Sequence, residues 1–190
     1  MMQGRTRRGG QQWRRKKKRN EERMKVVKTE LRIGTLNVGT MTGKGREIVD
    51  MMVRRRVDVL CVQETRWKGE KARTIGDGFK LWYCGCGKKN GVGIVAKKDL
   101  VDRVVEVESV SDRIMALKIE KDGIMLNIIS AYAPQVGCTA EEKEDFWQDL
   151  EEIFEKIPRE ERVVLGADLN GHVGEGNNGD EEVMGRHGMG

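Results

Sequence analysis

No apolar run in the sequence approaches the roughly 20 residues that a membrane-spanning helix needs. The N-terminus also has no apolar signal region, so neither a membrane protein nor a secreted protein is expected. Hydrophobic residues make up 37% of the 190 residues and charged residues 35%. A chain of this length and composition is expected to form one soluble domain with a sizeable core.

Cysteine motifs for metal binding are also scarce. The four cysteines are Cys61, Cys84, Cys86 and Cys138, and Cys61 lies in an apolar run where a small buried side chain is expected. The Cys84-Gly-Cys86 pair lacks the usual Cys-x-x-Cys spacing and no second pair follows it, so a structural zinc site is not expected. Reduced thiols in an intracellular protein are the default expectation.

Positive charge is concentrated at the N-terminus. Residues 1–28 carry twelve Lys or Arg against two acids, whereas the remaining residues carry 24 basic and 29 acidic side chains. The net charge of +5 therefore belongs to a tail, and the body is mildly acidic. We expect residues 1–28 to be disordered, because they hold too little apolar surface to offset the entropy lost on ordering.

Within this tail stands a basic block: Arg14, Arg15, Lys16, Lys17, Lys18 and Arg19. Such a block can be a nuclear import signal or a nucleic-acid contact. It can equally be a solvated tail without a specific partner, and the sequence leaves these alternatives open. The first two would make the protein a nuclear one.

Residues 31–190 are predicted to form an α/β domain. A strand ending at Asn37, a helix over 47–56 and a strand ending at Gln63-Glu64-Thr65 follow one another, which is the pattern of a βαβ unit. Short strands separated by Gly turns then favour an antiparallel sheet; they are expected at 79–84, 91–96, 104–107, 113–120 and 124–131.

One helix is clearly marked further along the chain. Thr139-Ala-Glu-Glu142 is a capping box that starts it, and Pro158 helps to end it. An apolar stripe at spacings of three and four residues is predicted to face the core; it consists of Phe146, Trp147, Leu150, Ile153, Phe154 and Ile157.

The next segment presents a carboxylate and an amide. Val163 to Leu165 fit a short buried strand, and the chain then continues to Asp168 and Asn170. On an extended chain two residues at this spacing point the same way, which would place a base beside a hydrogen-bond donor. Taken alone, the segment could equally be an ordinary turn, because Asp, Asn and Gly are standard turn residues.

Four predicted strand ends carry polar residues: Asn37, Glu64, Tyr132 and the Asp168/Asn170 pair. A sheet that delivers its strand ends to one rim would bring them together, and α/β proteins usually bind ligands there. One carboxylate with amides suits Mg²⁺, which takes few protein ligands. Because no Ser or Cys nucleophile with a base is evident, metal-assisted hydrolysis by water fits better.

These residues stand in motifs that resemble the endonuclease/exonuclease/phosphatase superfamily. The motifs are Leu36-Asn37-Val38, Gln63-Glu64-Thr65, Ser130-Ala-Tyr132-Ala-Pro134 and Gly166-Ala-Asp168-Leu-Asn170. Cys61-Val-Gln-Glu-Thr-Arg-Trp67 and Asn170-Gly-His-Val-Gly174 are most similar to endonuclease domains of RTE-type non-LTR retrotransposons and to the craniofacial development protein 2 family. The number and order of these motifs between Leu31 and Gly190 make a chance match improbable.

The resemblance implies a four-layered α/β/β/α sandwich that cleaves phosphodiester bonds of DNA with Mg²⁺, Mn²⁺ being an alternative cofactor. It implies that Glu64 is the metal ligand, assisted by Asn37, and that Gln63 supports Glu64. Asp168 would deprotonate the attacking water and Asn170 would stabilise the charge on the phosphate.

Two further residues complete the implied site. The resemblance places Tyr132 at the phosphate or in the network that supports it. Arg113 is expected to contact a DNA phosphate, because its fixed fork of donors matches that anion. A surface salt bridge is the alternative for Arg113, since more than a third of the residues are charged.

The resemblance is incomplete at the C-terminal end. The superfamily finishes with strands that carry a further Asp and then an Asp-His pair, whereas His172 and His187 here lie in a Gly-rich segment and follow no Asp. Both histidines are therefore predicted to be non-catalytic. The domain is expected to be truncated and its cleavage weakened, because one lost transition-state partner costs orders of magnitude in rate.

Two classes of function follow from these observations, and a related phosphatase that acts on small phosphoesters is a third alternative. The first is a Mg²⁺-dependent DNA endonuclease with a weakened site. The second is a non-catalytic nuclear protein, derived from a mobile element, whose basic tail binds nucleic acid or an unidentified protein partner. Steep salt dependence of binding without cleavage would favour the second class.

Overall fold

The structure is a computed structural model that describes residues 30–87 and 89–171. The predicted tail with its basic block and both histidines lie outside these residues, so the predictions about them stay predictions. In the described ranges, no helix is long and apolar enough to cross a bilayer.

The described residues form two β-sheets and three helices. The helices are α1 (Gly45–Arg55), α2 (Lys98–Val101) and α3 (Ala140–Lys156). The strands are β1 (Ile33–Asn37), β2 (Val59–Gln63), β3 (Lys71–Gly76), β4 (Phe79–Cys84), β5 (Val92–Ala96), β6 (Val104–Ser111), β7 (Ile114–Lys121), β8 (Ile124–Tyr132) and β9 (Arg162–Asp168).

The first sheet has the strand order β1-β2-β5-β4-β3, and the second has the order β6-β7-β8-β9. Each sheet ends in one parallel pair joined by a helical crossover. In the first sheet β1 and β2 are parallel, and in the second β8 and β9 are parallel. The predicted βαβ unit and the predicted antiparallel strands are therefore both confirmed.

Alternation along the strands creates the layers of the fold. Val59 and Cys61 of β2 point into a central core that also contains Leu117 and Ile128 of the second sheet. Leu60 and Val62 of the same strand point to the opposite face and pack with apolar residues of α1. A third cluster joins the outer face of the second sheet to α3. The predicted α/β/β/α layering is confirmed.

Helix α3 begins as predicted but buries a narrower stripe. The Glu142 backbone N–H donates to Thr139 Oγ1 at 3.1 Å and the Thr139 N–H donates to Glu142 Oε2 at 2.9 Å, which completes the capping box. Phe146, Leu150 and Ile153 are buried. The prediction was wrong for Trp147 and Phe154, which are 53% and 40% exposed, because the second sheet covers one narrow face of the helix.

Two elements were missed in the sequence. Strand β3 is the end strand of the first sheet, and its Lys71–Thr74 segment is exposed, so it lacks the apolar alternation that marks a strand. Helix α2 is a single turn, too short to show a helical period. Neither element contributes a residue to the rim of strand ends.

Candidate functional site

The site forms where the two parallel pairs end. Asn37 lies opposite Gln63 in the β1–β2 pairing, and Tyr132 lies opposite Asp168 in the β8–β9 pairing. Because the two sheets face one another, these four strand ends meet at one rim. The prediction that polar strand ends converge is confirmed for Asn37, Glu64, Tyr132 and Asp168.

Glu64 is the centre of a hydrogen-bond network at this rim. Its Oε1 accepts from Asn37 Nδ2 and from the Tyr132 hydroxyl, both at 2.9 Å. Its Oε2 accepts from Arg66 Nη2 at 2.6 Å. The bond from Asn37, helped by those from Arg66 and Tyr132, holds the pKa of Glu64 below its ordinary value although burial acts in the opposite direction. Glu64 is therefore ionised at neutral pH.

The Asn37 amide links the two carboxylates of the site. Its Nδ2 donates to Glu64 Oε1 and also to Asp168 Oδ2 at 2.9 Å, while its Oδ1 accepts from the Gly39 N–H at 2.9 Å. In this arrangement Asn37 positions both carboxylates, and its oxygen is engaged by the backbone. Its predicted role as an assisting metal ligand stays a prediction.

Asp168 ends β9, and a turn follows it directly. The Asn170 N–H donates to Asp168 Oδ1 at 3.0 Å, which is the Asx turn of a strand end. Asn170 has a left-handed backbone with φ of 47°, so the two residues do not share one extended segment as predicted. Asn170 Nδ2 donates to the Ala133 carbonyl at 2.6 Å, which holds the amide beside Asp168.

Tyr132 and Arg113 stand on the other side of Glu64. Burial, followed by the Glu64 carboxylate, raises the pKa of Tyr132, so the phenol keeps the proton that it donates. Gln135 Nε2 donates to the Tyr132 hydroxyl at 3.0 Å. Arg113 lies 5.6 Å from the centre of the Tyr132 ring and donates to the Tyr132 carbonyl at 3.3 Å. These contacts fix the guanidinium at the edge of the site.

Gln63 lies beneath the rim and connects the two sheets. Its fully buried side chain donates to Thr35 Oγ1 at 3.1 Å, Ser130 Oγ at 3.3 Å and the Gly166 carbonyl at 3.1 Å. Gly166 allows this close approach, because a Cβ built there would lie 2.7 Å from Cys61 Sγ. Gln63 therefore supports Glu64 by fixing the distance between the sheets.

Two cavities flank the carboxylates. A groove of about 520 Å³ lies on the Glu64 side, and its lining includes three basic residues, Arg66, Lys89 and Arg113, and two acids, Glu64 and Glu142, so that basic residues are in excess by one; it is called the basic groove below. A more open depression of about 470 Å³ lies on the other side and contains Asn37, Asp168 and Leu169. The Glu64–Asn37–Asp168 row thus forms the boundary between a basic groove and an open depression.

The residues suit a lightly coordinated hard cation better than a closed metal cage. Over residues 30–87 and 89–171, no cluster of three or more His, Cys, Asp or Glu side chains could hold a metal. The site offers two carboxylates, Glu64 and Asp168, joined through one amide. Mg²⁺ is commonly held by one or two carboxylates with several waters, so this donor set fits it.

Sequence reasoning missed Arg66 and Gln135, which directly extend the network. Arg66 was noted as part of a motif without a role of its own. Its contact with Glu64 depends on left-handed backbones at both Glu64 and Arg66, with φ of 56° and 53°. Non-glycine residues seldom adopt this conformation, so residue types alone could not reveal the contact.

Comparison with known sequences points to one family. The sequence model of the Endonuclease/Exonuclease/phosphatase family matches residues 34–185. Craniofacial development protein 2 of Bos taurus is 27% identical over 158 residues, which are 82% of this chain and 26% of that protein. The chain therefore spans about a quarter of the length of this curated relative. The predicted resemblance to this family and these proteins is confirmed.

Solved structures share the fold. The endonuclease domain of TRAS1, a telomere-specific non-LTR retrotransposon, has a TM-score of 0.56 and 14% identity, with 74% of this chain and 59% of that chain covered. D. rerio TDP2, in complex with a single-strand DNA product, has a TM-score of 0.55 and 16% identity, with 74% and 60% covered. At these identities the likeness establishes the architecture.

Proposed function

Because the chain belongs to the endonuclease/exonuclease/phosphatase family, we propose that it hydrolyses phosphodiester bonds of DNA with the help of Mg²⁺ or Mn²⁺. The observation that carries the proposal is the convergence of Glu64, Asn37, Asp168 and Tyr132 in one hydrogen-bonded network beside a basic groove. The DNA bound to the TDP2 relative and the retrotransposon origin of the TRAS1 relative support DNA as the substrate.

Glu64 would hold the divalent cation, with Asn37 assisting. The ionised carboxylate is largely shielded from water, with 16% of its side chain exposed, and the Asn37 amide and the Tyr132 hydroxyl, which both donate to Oε1, fix its orientation. When bound, the cation would polarise the phosphate and offset its negative charge.

Asp168 is the proposed base that orients and deprotonates the attacking water. Its two oxygens accept from Asn37 Nδ2 and from the Asn170 N–H, which fixes the plane of the carboxylate. Each oxygen retains lone-pair capacity to accept a hydrogen bond from water. A fixed carboxylate within reach of the nucleophile is the geometry that general-base catalysis requires.

Arg113 and Asn170 are the proposed partners of the phosphate, and Tyr132, whose hydroxyl donates to Glu64 Oε1, supports the network around them. Arg113 donates from Nη1 to the Tyr132 carbonyl and from Nη2 to Cys138 Sγ at 3.8 Å, and its planar group retains other N–H donors for an anion. Asn170 is held at the rim by its bond to the Ala133 carbonyl and would donate to the charge that develops on phosphate.

The experiment is nicking of supercoiled plasmid by the purified chain in Mg²⁺ and in EDTA. Glu64→Gln keeps the shape of the side chain and removes the charge, so Mg²⁺-dependent nicking should be lost. Glu155→Gln is the matched control, because Glu155 lies on the exposed face of α3. Nicking that persists in Glu64→Gln, or no nicking by a chain that circular dichroism shows to be folded, would reject the proposal.

A second function is favoured by the basic block at Arg14–Arg19, with the protein acting in the nucleus. In this function the tail binds nucleic acid without cleavage. Replacing the six basic residues by Gln would then weaken binding strongly and reduce the dependence of affinity on salt. The reason is that fewer phosphate contacts form, so fewer counterions are released when the nucleic acid binds. Unchanged affinity and salt slope would exclude the tail as the binding element.

A further inference from the structure

The segment Glu64–Arg66 is held in an unusual backbone conformation. Glu64 and Arg66 both have left-handed φ values, of 56° and 53°. The Thr65 N–H donates to the Gly91 carbonyl at 2.9 Å, and the Arg66 N–H donates to the Asn90 carbonyl at 3.0 Å. Left-handed residues cost free energy and persist when neighbouring structure enforces them.

Thr65 anchors this segment from within. Its side chain is fully buried, and the Thr65 carbonyl accepts from the Met41 N–H at 3.0 Å. Gly91 packs so closely that an added Cβ would lie 2.3 Å from Thr65 Oγ1. With Thr65 directed inward, the side chains of Glu64 and Arg66 meet at the mouth of the basic groove.

The result is an ion pair whose two members differ in exposure. Arg66 Nη2 lies 2.6 Å from Glu64 Oε2; half of the Arg66 side chain is exposed, against 16% of the Glu64 side chain. Glu64 Oε1 is occupied by the buried Tyr132 and by Asn37. Oε2 is therefore the oxygen that a cation can reach by displacing a single, half-exposed group. Such an exposed partner is weakly held and can leave.

We propose that Arg66 is the resident counter-ion of Glu64, which the divalent cation displaces into the basic groove, where Arg66 binds a phosphate of the DNA. The inference deepens the proposed function, because it places the cation at Glu64. The groove already contains Lys89 and Arg113, so a displaced Arg66 would join two other cations that can face the phosphate backbone.

This arrangement couples the two ligands. The cation frees Arg66 for phosphate, and phosphate draws Arg66 away from Glu64. DNA must then raise the affinity for the cation by the same factor by which the cation raises the affinity for DNA. Arg66 would thus keep Glu64 paired in the free protein and favour cation binding when DNA is present.

The test measures Mn²⁺ affinity by calorimetry for the full chain without DNA, at physiological salt. Arg66→Ala should bind Mn²⁺ roughly 2- to 5-fold more tightly, the range expected for removing one competing exposed ion pair. Arg66→Asn should do the same and serves as the second variant, because Asn tolerates the left-handed backbone. Lys89→Ala is the matched control, because Lys89 is a basic residue of the same groove, whereas the ion pair with Glu64 is made by Arg66.

The affinity of the same variants for a short DNA duplex is then measured in Ca²⁺ and in EDTA. In the wild-type chain Ca²⁺ should strengthen DNA binding, and in the Arg66 variants that gain should shrink. Lys89→Ala should weaken DNA binding while the gain persists. Equal Mn²⁺ affinity in wild type and in both Arg66 variants, or an equal increase in Lys89→Ala, would overturn the inference.

The two proposals fail in different ways. Arg66→Ala should bind Mn²⁺ more tightly than wild type and lose this gain when Glu64→Gln is added. That result supports the role of Arg66 as counter-ion, even for a chain that nicks no plasmid. If the chain nicks plasmid and the Arg66 variants bind Mn²⁺ with unchanged affinity, hydrolysis is supported and the role of Arg66 as counter-ion is rejected. Mn²⁺ binding that survives Glu64→Gln in the wild-type background would place the cation elsewhere and reject the inference.

Discussion

Glu64 and Asp168 lie at neighbouring strand ends of one rim, yet the fold surrounds them differently. Glu64 follows the interior strand β2 and accepts from three side chains. Asp168 ends β9, which is an end strand of its sheet within residues 30–87 and 89–171, and it accepts from Asn37 and from the next turn. Around Asp168 apolar side chains are exposed, including Leu36 at 41%, Leu165 at 38% and Leu169 at 50%. The strand predicted at Val163 to Leu165 is present, but the prediction of its burial was wrong for Val163 and Leu165.

The difference shows that position within a sheet decides how firmly a polar group is held. An interior strand receives packing from both sides, so the residue after it can be enclosed by side chains of several elements. An end strand is packed on one side, and its terminal residue relies on local hydrogen bonds. Side chains on the exposed face of β9 should therefore tolerate substitution with a small loss of stability, whereas those packed in the central core should not.

The largest expected effect tests whether Asp168, the carboxylate held mainly by local hydrogen bonds, is essential for catalysis. Asp168→Asn should lower the rate of plasmid cleavage by about 10²- to 10⁴-fold, the usual contribution of a general base. Asn retains an acceptor for the Asn170 N–H and loses the charge. Cleavage kinetics are compared with those of Asp145→Asn, which changes an exposed acid on α3. Equal rates in the two variants would make Asp168 a structural residue.

The next effect compares packing in the two regions. Leu117→Ala, in the central core, should cost about 2–5 kcal/mol of unfolding free energy. Leu165→Ala, on the face of β9 where Leu165 is 38% exposed, should cost less, about 1 kcal/mol. Urea denaturation measures both. A similar cost at the two positions would mean that the β9 face is covered in solution.

A smaller effect concerns the contact that joins β9 to β2. Gly166→Ala should destabilise the chain by about 1–3 kcal/mol, because its Cβ would lie 2.7 Å from Cys61. Gly137→Ala is the control, since a Cβ there meets no atom within 4 Å. Chemical denaturation reports both costs. Adding Cys61→Ala to Gly166→Ala should recover part of the loss, and strict additivity would show that the two residues do not meet.

The smallest perturbation is thiol labelling, which leaves the sequence intact. Burial raises the pKa of Cys61 to about 12 and that of Cys84 to about 11, so both are protonated at pH 7.5. Because the thiolate is the reactive form, iodoacetamide should modify exposed Cys86 first and leave Cys61 unmodified. Mass spectrometry gives the order. Labelling of Cys61 at the rate of Cys86 would show that β9 separates from β2.

Much of the fold could be predicted because binary patterning marks it. The apolar runs of β1, β2 and β8 and the capping box of α3 are visible in residue types alone. The four strand-end residues Asn37, Glu64, Tyr132 and Asp168 were predicted to converge, since parallel strands deliver their carboxyl ends to one edge. Family motifs marked the same four positions independently.

What could not be predicted depends on local backbone and on neighbours. The Arg66–Glu64 pair depends on two left-handed residues, and Asn170 depends on a turn that begins at Asp168. The exposed Trp147 and Phe154 follow an apolar pattern, but the sheet beneath α3 is too narrow to cover them. Such features are decided by which element packs next to which, and periodicity carries no information about that.

The Asn37 amide has a further consequence, because it belongs to one sheet and one of its acceptors belongs to the other. Its bond to Asp168 Oδ2 spans the sandwich, so any sliding of one sheet over the other lengthens that bond. Displacements of about 1 Å at a reacting group can lower rates about a hundredfold. The geometry of the rim therefore depends on how the two sheets are aligned, so a small shift between them can lower activity while the protein remains folded.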